Sequence, residues 1–274
     1  FRPRPDNVII ATYPKSGTTW MQQIVHGLRT GGSMDFDEIT AVVPWIEMAY
    51  DLGQDIDAEQ AALPRAFKSH LNGNDVQKGC RYIVVIRDPR DVAVSSYRFL
   101  EGWFFETGSI ALDPFLRERF LAGSRSGRYW PHLVSWWPRR HELETLLLSY
   151  EDMKDDLPGA VRRVAGFLGM AGREDAIEIA TRQAGIDFMR AHGRQFDDHL
   201  IHEMRNAVCG LPPGTTTSKV RDGRAGGHHQ ILTPELHELL DDVWRREVTP
   251  VLGFDDYAEL RAALAAEQAR SSAV

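Results

Sequence analysis

Residues 7–29 read NVIIATYPKSGTTWMQQIVHGLR, and three textures meet in that stretch. Residues 7–12 (NVIIAT) are apolar and β-branched, the composition of a strand buried on both faces. Residues 13–17 (YPKSG) read as a turn, and residues 18–29 recover the apolar spacing of a helix. A strand that enters a helix through a short turn presents backbone N–H groups at the positive end of the helix dipole, which suits an anion. Gly17 lets the backbone approach a phosphate closely, Ser16, Thr18 and Thr19 offer hydroxyl and amide donors, and Lys15 adds a point charge. An ordinary strand–turn–helix junction with a Ser or Thr cap explains the turn alone. It does not call for a lysine, a glycine and three hydroxyls within five residues. A phosphate-binding loop is the better reading.

The alternation continues outward. Residues 65–69, 81–87 (RYIVVIR) and 145–150 (TLLLSY) read as further strands, the second a continuous apolar run of the parallel-sheet kind. Helices are expected at 89–101, where Pro89 suits the first turn, and at 114–122, 129–141, 157–168, 173–191, 234–247 and 258–269. Residues 210–230, rich in Gly and Thr, form the longest loop. Neither a repeat nor a linker divides the chain. Strands alternating with helices predict an α/β fold: a single domain over residues 1–274, with a central, mostly parallel sheet flanked by helices and a P-loop-like nucleotide site.

Composition sets outer bounds. With 43% hydrophobic and 26% charged residues in 274, the chain is an ordinary globular protein and not a disordered one. Its 32 Lys and Arg against 39 Asp and Glu give a formal charge of −7, which argues against nucleic acid as a partner. The acidity is local. Residues 35–60 hold eight acidic side chains and no Lys or Arg, and are expected to form surface helices, whereas 61–100 carry seven Lys and Arg against three Asp. Cys80 and Cys209 lack a CxxC partner and read as free thiols, although one bridge between them is conceivable. No apolar run reaches the roughly 18 residues of a membrane span, and residues 1–5 (FRPRP) lead straight into a strand without a signal-peptide core. A soluble, cytoplasmic protein is expected.

Five segments carry a resemblance. TYPKSGTTW (12–20) resembles the 5′-phosphosulfate loop of the cytosolic-type sulfotransferases, which use 3′-phosphoadenosine-5′-phosphosulfate (PAPS). FKSHL (67–71) is similar to their catalytic Lys-x-His segment, and VIRDPRDVAVSSYRF (85–99) to their 3′-phosphate strand–helix unit. Residues 113–153, from DPFLRERF to SYEDM, resemble the central helices and the strand after them, and RDGRAGG (221–227) the R-x-G-x-x-G of the C-terminal loop. The segments occur in the family's order. The resemblance implies sulfuryl transfer from PAPS to the hydroxyl of a small-molecule or lipid-like acceptor (a phenol, alcohol, sterol or glycolipid), releasing adenosine 3′,5′-bisphosphate (PAP) without a metal.

It also implies roles. A lone His at a strand end is more often a structural hydrogen-bonder than a base, and it is the resemblance that reverses this, because His70 matches the family's general base. Lys15 and Lys68 would face the leaving phosphate and the sulfuryl group; Lys68 and His70, two residues apart, share a strand face. Arg87, at a strand's carboxyl end, reads alone as either an ion pair with Asp88 or Asp91 or a ligand for an anion. By resemblance Arg87 and Ser95 hold the 3′-phosphate, as do Arg221 and Gly223, with Arg224 adding charge, while Trp20 and Tyr150 lie by the adenine. Trp45, Trp103, Phe104 and Phe105 are candidates for an apolar acceptor wall, with the acidic block near its mouth.

The chain also departs from the family. Where R-K-G-x-x-G-D-W-K is common, residues 221–229 read RDGRAGGHH, and the Thr-Ser-Phe of many members aligns with Ala184, Gly185 and Ile186. No K-x-x-x-T-V dimer motif stands near the C-terminus. The adjacent His228 and His229 lack helical ligand spacing and read as a loop pair rather than a metal site. Two other readings stay open. A P-loop kinase using ATP and Mg²⁺ would want GxxxxGK[ST], whereas Lys15 here precedes Gly17. A nucleotide-binding regulator without catalysis would tolerate the altered late loop.

Overall fold

Four strands, β1 (Val8–Ala11), β2 (Ala66–Ser69), β3 (Arg81–Ile86) and β4 (Thr145–Ser149), run parallel in the order β2-β1-β3-β4. The computed structural model describes residues 1–123, 127–214, 219–220 and 226–272. Val8 of β1 stands opposite Ala66 on one side and Arg81 on the other. The chain winds outward from β1 to β2, then returns past β1 to β3 and β4, so the winding reverses between β1 and β3. Open parallel sheets bind ligands outside the strand ends at such a reversal. The segments leaving those ends begin with Thr12 and Arg87.

Alternate strand residues bury opposite faces. Ile9, Val84 and Ile86 meet Val92, Trp130 and Leu240 on one side; Ile10, Ile83 and Val85 meet Met21, Ile24 and Val164 on the other. Helices cover both faces, which is why the strands read as unbroken apolar runs. Pro89 stands in the first turn of the Pro89–Leu100 helix, and Asp88 caps it by accepting the Arg90 N–H at 2.8 Å.

Several expected elements divide. The stretch 173–191 is two helices, Glu174–Gln183 and Ile186–Ala191, because Gly185 turns to an extended backbone between them. The stretch 114–122 is Leu112–Phe115 followed by a π turn, Leu116–Phe120. The stretch 129–141 is α-helical over Tyr129–Trp136 and tightens to a 3₁₀ turn, Trp137–His141, where Pro138 lacks the N–H an α ladder uses. Tyr150 is not the end of β4. Ser149 accepts the Asp152 N–H at 3.0 Å, a cap that makes Tyr150 the first residue of the helix Tyr150–Asp155.

The acidic block is not a set of surface helices either. It holds one helical turn, Ile39–Val42, and a 3₁₀ turn, Ile46–Met48, among bends rich in Asp and Gly, which favour turns over helix. Its Glu38 is fully buried. The helix His199–Arg205 had no counterpart in the sequence reading. Cys80, which is buried, and Cys209 are free thiols. No helix among the described residues is long and apolar enough to cross a membrane.

Candidate active site

The loop after β1 is shaped for close approach. Lys15 (φ 67) and Gly17 (φ 99) both adopt left-handed backbone. Gly17 stands at the start of the Thr18–Thr30 helix, whose first turn receives no side-chain cap and whose leading N–H groups have no carbonyl within the helix to bond. The Ser16 hydroxyl is buried without a hydrogen-bond partner among the described residues. A buried orphan donor beside uncapped amides is the outline of an anion cradle. A Cβ on Gly17 would come 3.1 Å from Tyr150 Cδ2. Gly17→Ala therefore combines left-handed strain of about 1–2 kcal/mol with a displaced Tyr150. Denaturant unfolding is expected to show that loss, and an unchanged midpoint would refute the strain.

Two lysines face the cleft beyond this loop. Lys15 Nζ lies 3.7 Å from the centroid of the Phe99 ring. Burial and then the ammonium of Lys219 hold the Lys15 pKa well below the ordinary lysine value. Lys68, on β2, is 2% exposed, and its Nζ sits 3.8 Å over the Trp45 ring and 3.9 Å from Asp198 Oδ2. Burial brings Lys68 down to about 8 against the upward pull of Asp198, with Lys219 adding to the fall.

His70 follows β2 directly. Its Nδ1 lies 2.7 Å from the Thr12 carbonyl, which can only accept, so Nδ1 carries the hydrogen and Nε2 the lone pair. Burial, followed by the charge of Lys68, places its pKa well below the usual 6.5, against the weaker upward pull of the Thr12 bond. The ring is thus neutral at physiological pH. Trp45 packs edge-on against it at 5.0 Å, and the Glu47 carboxylate accepts the His70 backbone N–H at 3.1 Å.

Arg87 leaves β3 toward the same cleft. One guanidinium nitrogen donates to the Lys15 carbonyl at 3.0 Å, another lies 3.7 Å from Asp91, and the group stacks over the Tyr150 ring at 4.2 Å. Arg87 thus pairs with Asp91, one of the two acids its sequence position offered, and also lines the cleft. Asp91 also accepts the Gly226 N–H at 2.7 Å and His228 Nδ1–H at 2.9 Å, which ties the late loop to the Pro89–Leu100 helix. Trp20 donates to the Ala184 carbonyl at 2.8 Å and meets Tyr150 edge-on at 5.3 Å.

One cleft of about 1330 Å³ unites these groups, with Lys15, Gly17, Thr18, Thr19, Trp20, Lys68, His70, Arg87, Ser95 and Tyr150 on its walls. Ser16, between two lining residues of the loop, is fully buried and does not itself line the cleft. Arg221, Gly223 and Arg224 fall outside the described residues. Of the aromatic candidates, Trp45 and Trp103 line the cleft with Phe99, but Phe104 and Phe105 do not. Gly102 (φ 73) and the bridge between Glu101 and Phe105 turn the chain there, so Phe105 packs on Tyr97 and Phe115 and Phe104 on Trp103. Sequence reasoning missed Asp198 and Lys219, both on the cleft wall, because no local pattern marks either. Among the described residues, seven Lys and Arg line the cleft against two Asp, so it is basic inside an acidic chain.

Residues 5–251 match the sulfotransferase domain family. The dog (Canis lupus familiaris) sulfotransferase 1B1 is 31% identical over 261 residues, 91% of this chain and 86% of its own. The rabbit (Oryctolagus cuniculus) amine sulfotransferase is 32% identical over 90% of this chain and 82% of its own. The fold is also that of retinol dehydratase, solved with androsterone and PAP, at a TM-score of 0.69 and 21% identity over 90% of this chain and 82% of that one. Mouse sulfotransferase SULT7A1, solved with PAP, aligns with a TM-score of 0.67 and 21% identity over 90% and 86% of the two chains. With the family matched over most of its length and two curated relatives above 30% identity, the chain belongs to the sulfotransferase domain family.

Proposed function

We propose that the protein transfers the sulfuryl group of PAPS to a hydroxyl of a small, largely apolar acceptor, with His70 as the base. The observation that carries this reading is the meeting of Lys15, Lys68 and a tautomer-fixed His70 on the wall of one cleft that also holds the phosphate loop. The residues present suit such a donor: the buried Ser16 hydroxyl lacks a partner, the helix start is uncapped, and Gly17 leaves room that a Cβ would fill.

When bound, PAPS supplies a sulfuryl group joined to a phosphate leaving group. Lys15, Ser16, Thr18 and Thr19 would hold the 5′-phosphate side through amides, hydroxyls and one ammonium. Arg87 and Ser95 would take the 3′-phosphate, with Arg221 and Gly223 assigned by resemblance, and Trp20 and Tyr150 would flank the base. His70 Nε2 accepts the proton of the acceptor hydroxyl, and the Thr12 carbonyl keeps the ring in the tautomer that can do so. Fixed ammonium charges on Lys15 and Lys68, held partly out of water, stabilise the negative charge that develops between donor and acceptor. Phe99, Trp45 and Trp103 supply an apolar wall for the acceptor. That the related structures hold PAP, with androsterone or retinol in two of them, supports this assignment of donor and acceptor class.

Anion binding has a measurable proton linkage. Lys15 and Lys68 titrate below their ordinary range, and an anion set against them raises both. Near pH 8, where Lys68 titrates, PAP binding is therefore expected to take up protons. Calorimetry in buffers of different ionisation enthalpy reads this directly, and buffer-independent heats would refute it. The activity itself is tested with PAPS labelled in its sulfuryl group and a panel of phenols, alcohols, sterols and glycolipids. Label in the acceptor with an equal yield of PAP is expected; PAPS left intact across the panel would overturn the reading.

A further inference from the structure

Asp198 and Lys219 lie where neither the phosphate loop nor the His70 segment reaches in sequence. Asp198 is 1% exposed, in left-handed backbone (φ 59) at the start of the His199–Arg205 helix. One carboxylate oxygen, Oδ2, pairs with Lys219 Nζ and with Lys68 Nζ at 3.9 Å; the other accepts the Thr40 hydroxyl at 3.3 Å. Lys219 Nζ is 5.9 Å from the centroid of the Phe99 ring, the ring that Lys15 Nζ faces at 3.7 Å. Three ammonium groups from three separate segments thus gather around one carboxylate and one ring, and all line the cleft.

A carboxylate in the wall of a cleft that receives a polyanion repels it unless a cation stands between them. A lysine as buried as Lys68 stays protonated only beside a counter-charge. Asp198 meets the second need and creates the first problem; Lys219 removes the problem. Resting on the donor assignment above, we propose that Asp198 and Lys219 are a positioning pair for the sulfuryl site: Asp198 keeps Lys68 charged and aimed, and Lys219 screens the Asp198 carboxylate from the bound anion. Both residues lie outside the five family-like segments and on the wall of the same cleft. The groups that bear on Lys68 are Asp198, Lys219, Glu38 and Glu47, with His70 on its own segment and Lys15 across the cleft.

The test uses the full chain with Asp198→Asn, Lys219→Met and the double variant, reading PAP affinity by calorimetry and the pH profile of kcat/KM for sulfuryl transfer. Lys219→Met alone is expected to weaken PAP by about tenfold or more, because it leaves a buried carboxylate facing the anion. The double variant is expected to return affinity to within about threefold of the parent, since both charges have gone together. Asp198→Asn is expected to move the alkaline limb of kcat/KM to lower pH, as Lys68 loses the charge that raises its pKa. Asp198→Glu, which keeps the charge, should leave that limb in place and guards against a variant that merely misfolds. Equal weakening in the single and double variants, or an unmoved alkaline limb in Asp198→Asn, would overturn the pairing. Failure of the parent protein to bind PAP would remove the donor assignment itself; normal PAP binding in the parent with unchanged variants would sink the pairing alone.

Discussion

Replacing His70 with alanine is expected to lower turnover by about two to four powers of ten while leaving PAP affinity within about twofold. The split follows from what the imidazole touches. Its Nδ1 is committed to the Thr12 carbonyl, so only Nε2 can serve the acceptor, and no atom of the ring belongs to the phosphate loop. The lowered pKa keeps the ring unprotonated down through neutrality, so the acid limb of kcat/KM for the parent enzyme should fall below pH 6.5. In the variant that limb should vanish, because the group that titrates there is gone. A variant that loses PAP affinity as severely as turnover would instead mark His70 as a structural residue.

Lys15 offers the other large effect, and a contrast between stability and activity. Its left-handed backbone (φ 67) is unusual for a side-chain-bearing residue and costs about 1–2 kcal/mol. Glycine adopts that conformation freely, so Lys15→Gly is expected to raise unfolding stability by about 0.5–1 kcal/mol. The same change removes an ammonium from the sulfuryl site and is expected to reduce kcat/KM by about two to three powers of ten. Denaturant titration beside steady-state kinetics reads both. A variant both less stable and inactive would mean that Lys15 acts through packing on Phe99; one that stays active would remove it from the site.

Much of this site was legible because its parts sit at places where sequence and fold speak the same language. Apolar runs mark β1 and β3, and the residues just past their ends, from Tyr13 to Gly17 and at Arg87, fall at the reversal of winding where parallel sheets bind ligands. His70 and Lys68 were legible through one short segment at the end of β2. What escaped was set by tertiary contact. Asp198 reaches Lys68 from more than 100 residues away in sequence, Lys219 in turn pairs with Asp198, and nothing local marks either. Phe104 looked equal to Trp103, but the turn at Gly102 gives only the tryptophan to the cleft. A sum of −7 over the chain hides a cleft whose walls, among the described residues, carry seven Lys and Arg against two Asp.

The donor is the centre of the matter, and binding measures it without knowledge of the acceptor. PAP titrated into the protein in EDTA, beside ATP with Mg²⁺, separates a sulfuryl donor site from a kinase site in one calorimetric experiment. Saturable PAP binding in the micromolar range or tighter, independent of metal and at least about tenfold stronger than ATP with Mg²⁺, is expected from the cationic cleft and its uncapped loop. Metal-dependent ATP binding with no saturable PAP binding would contradict it.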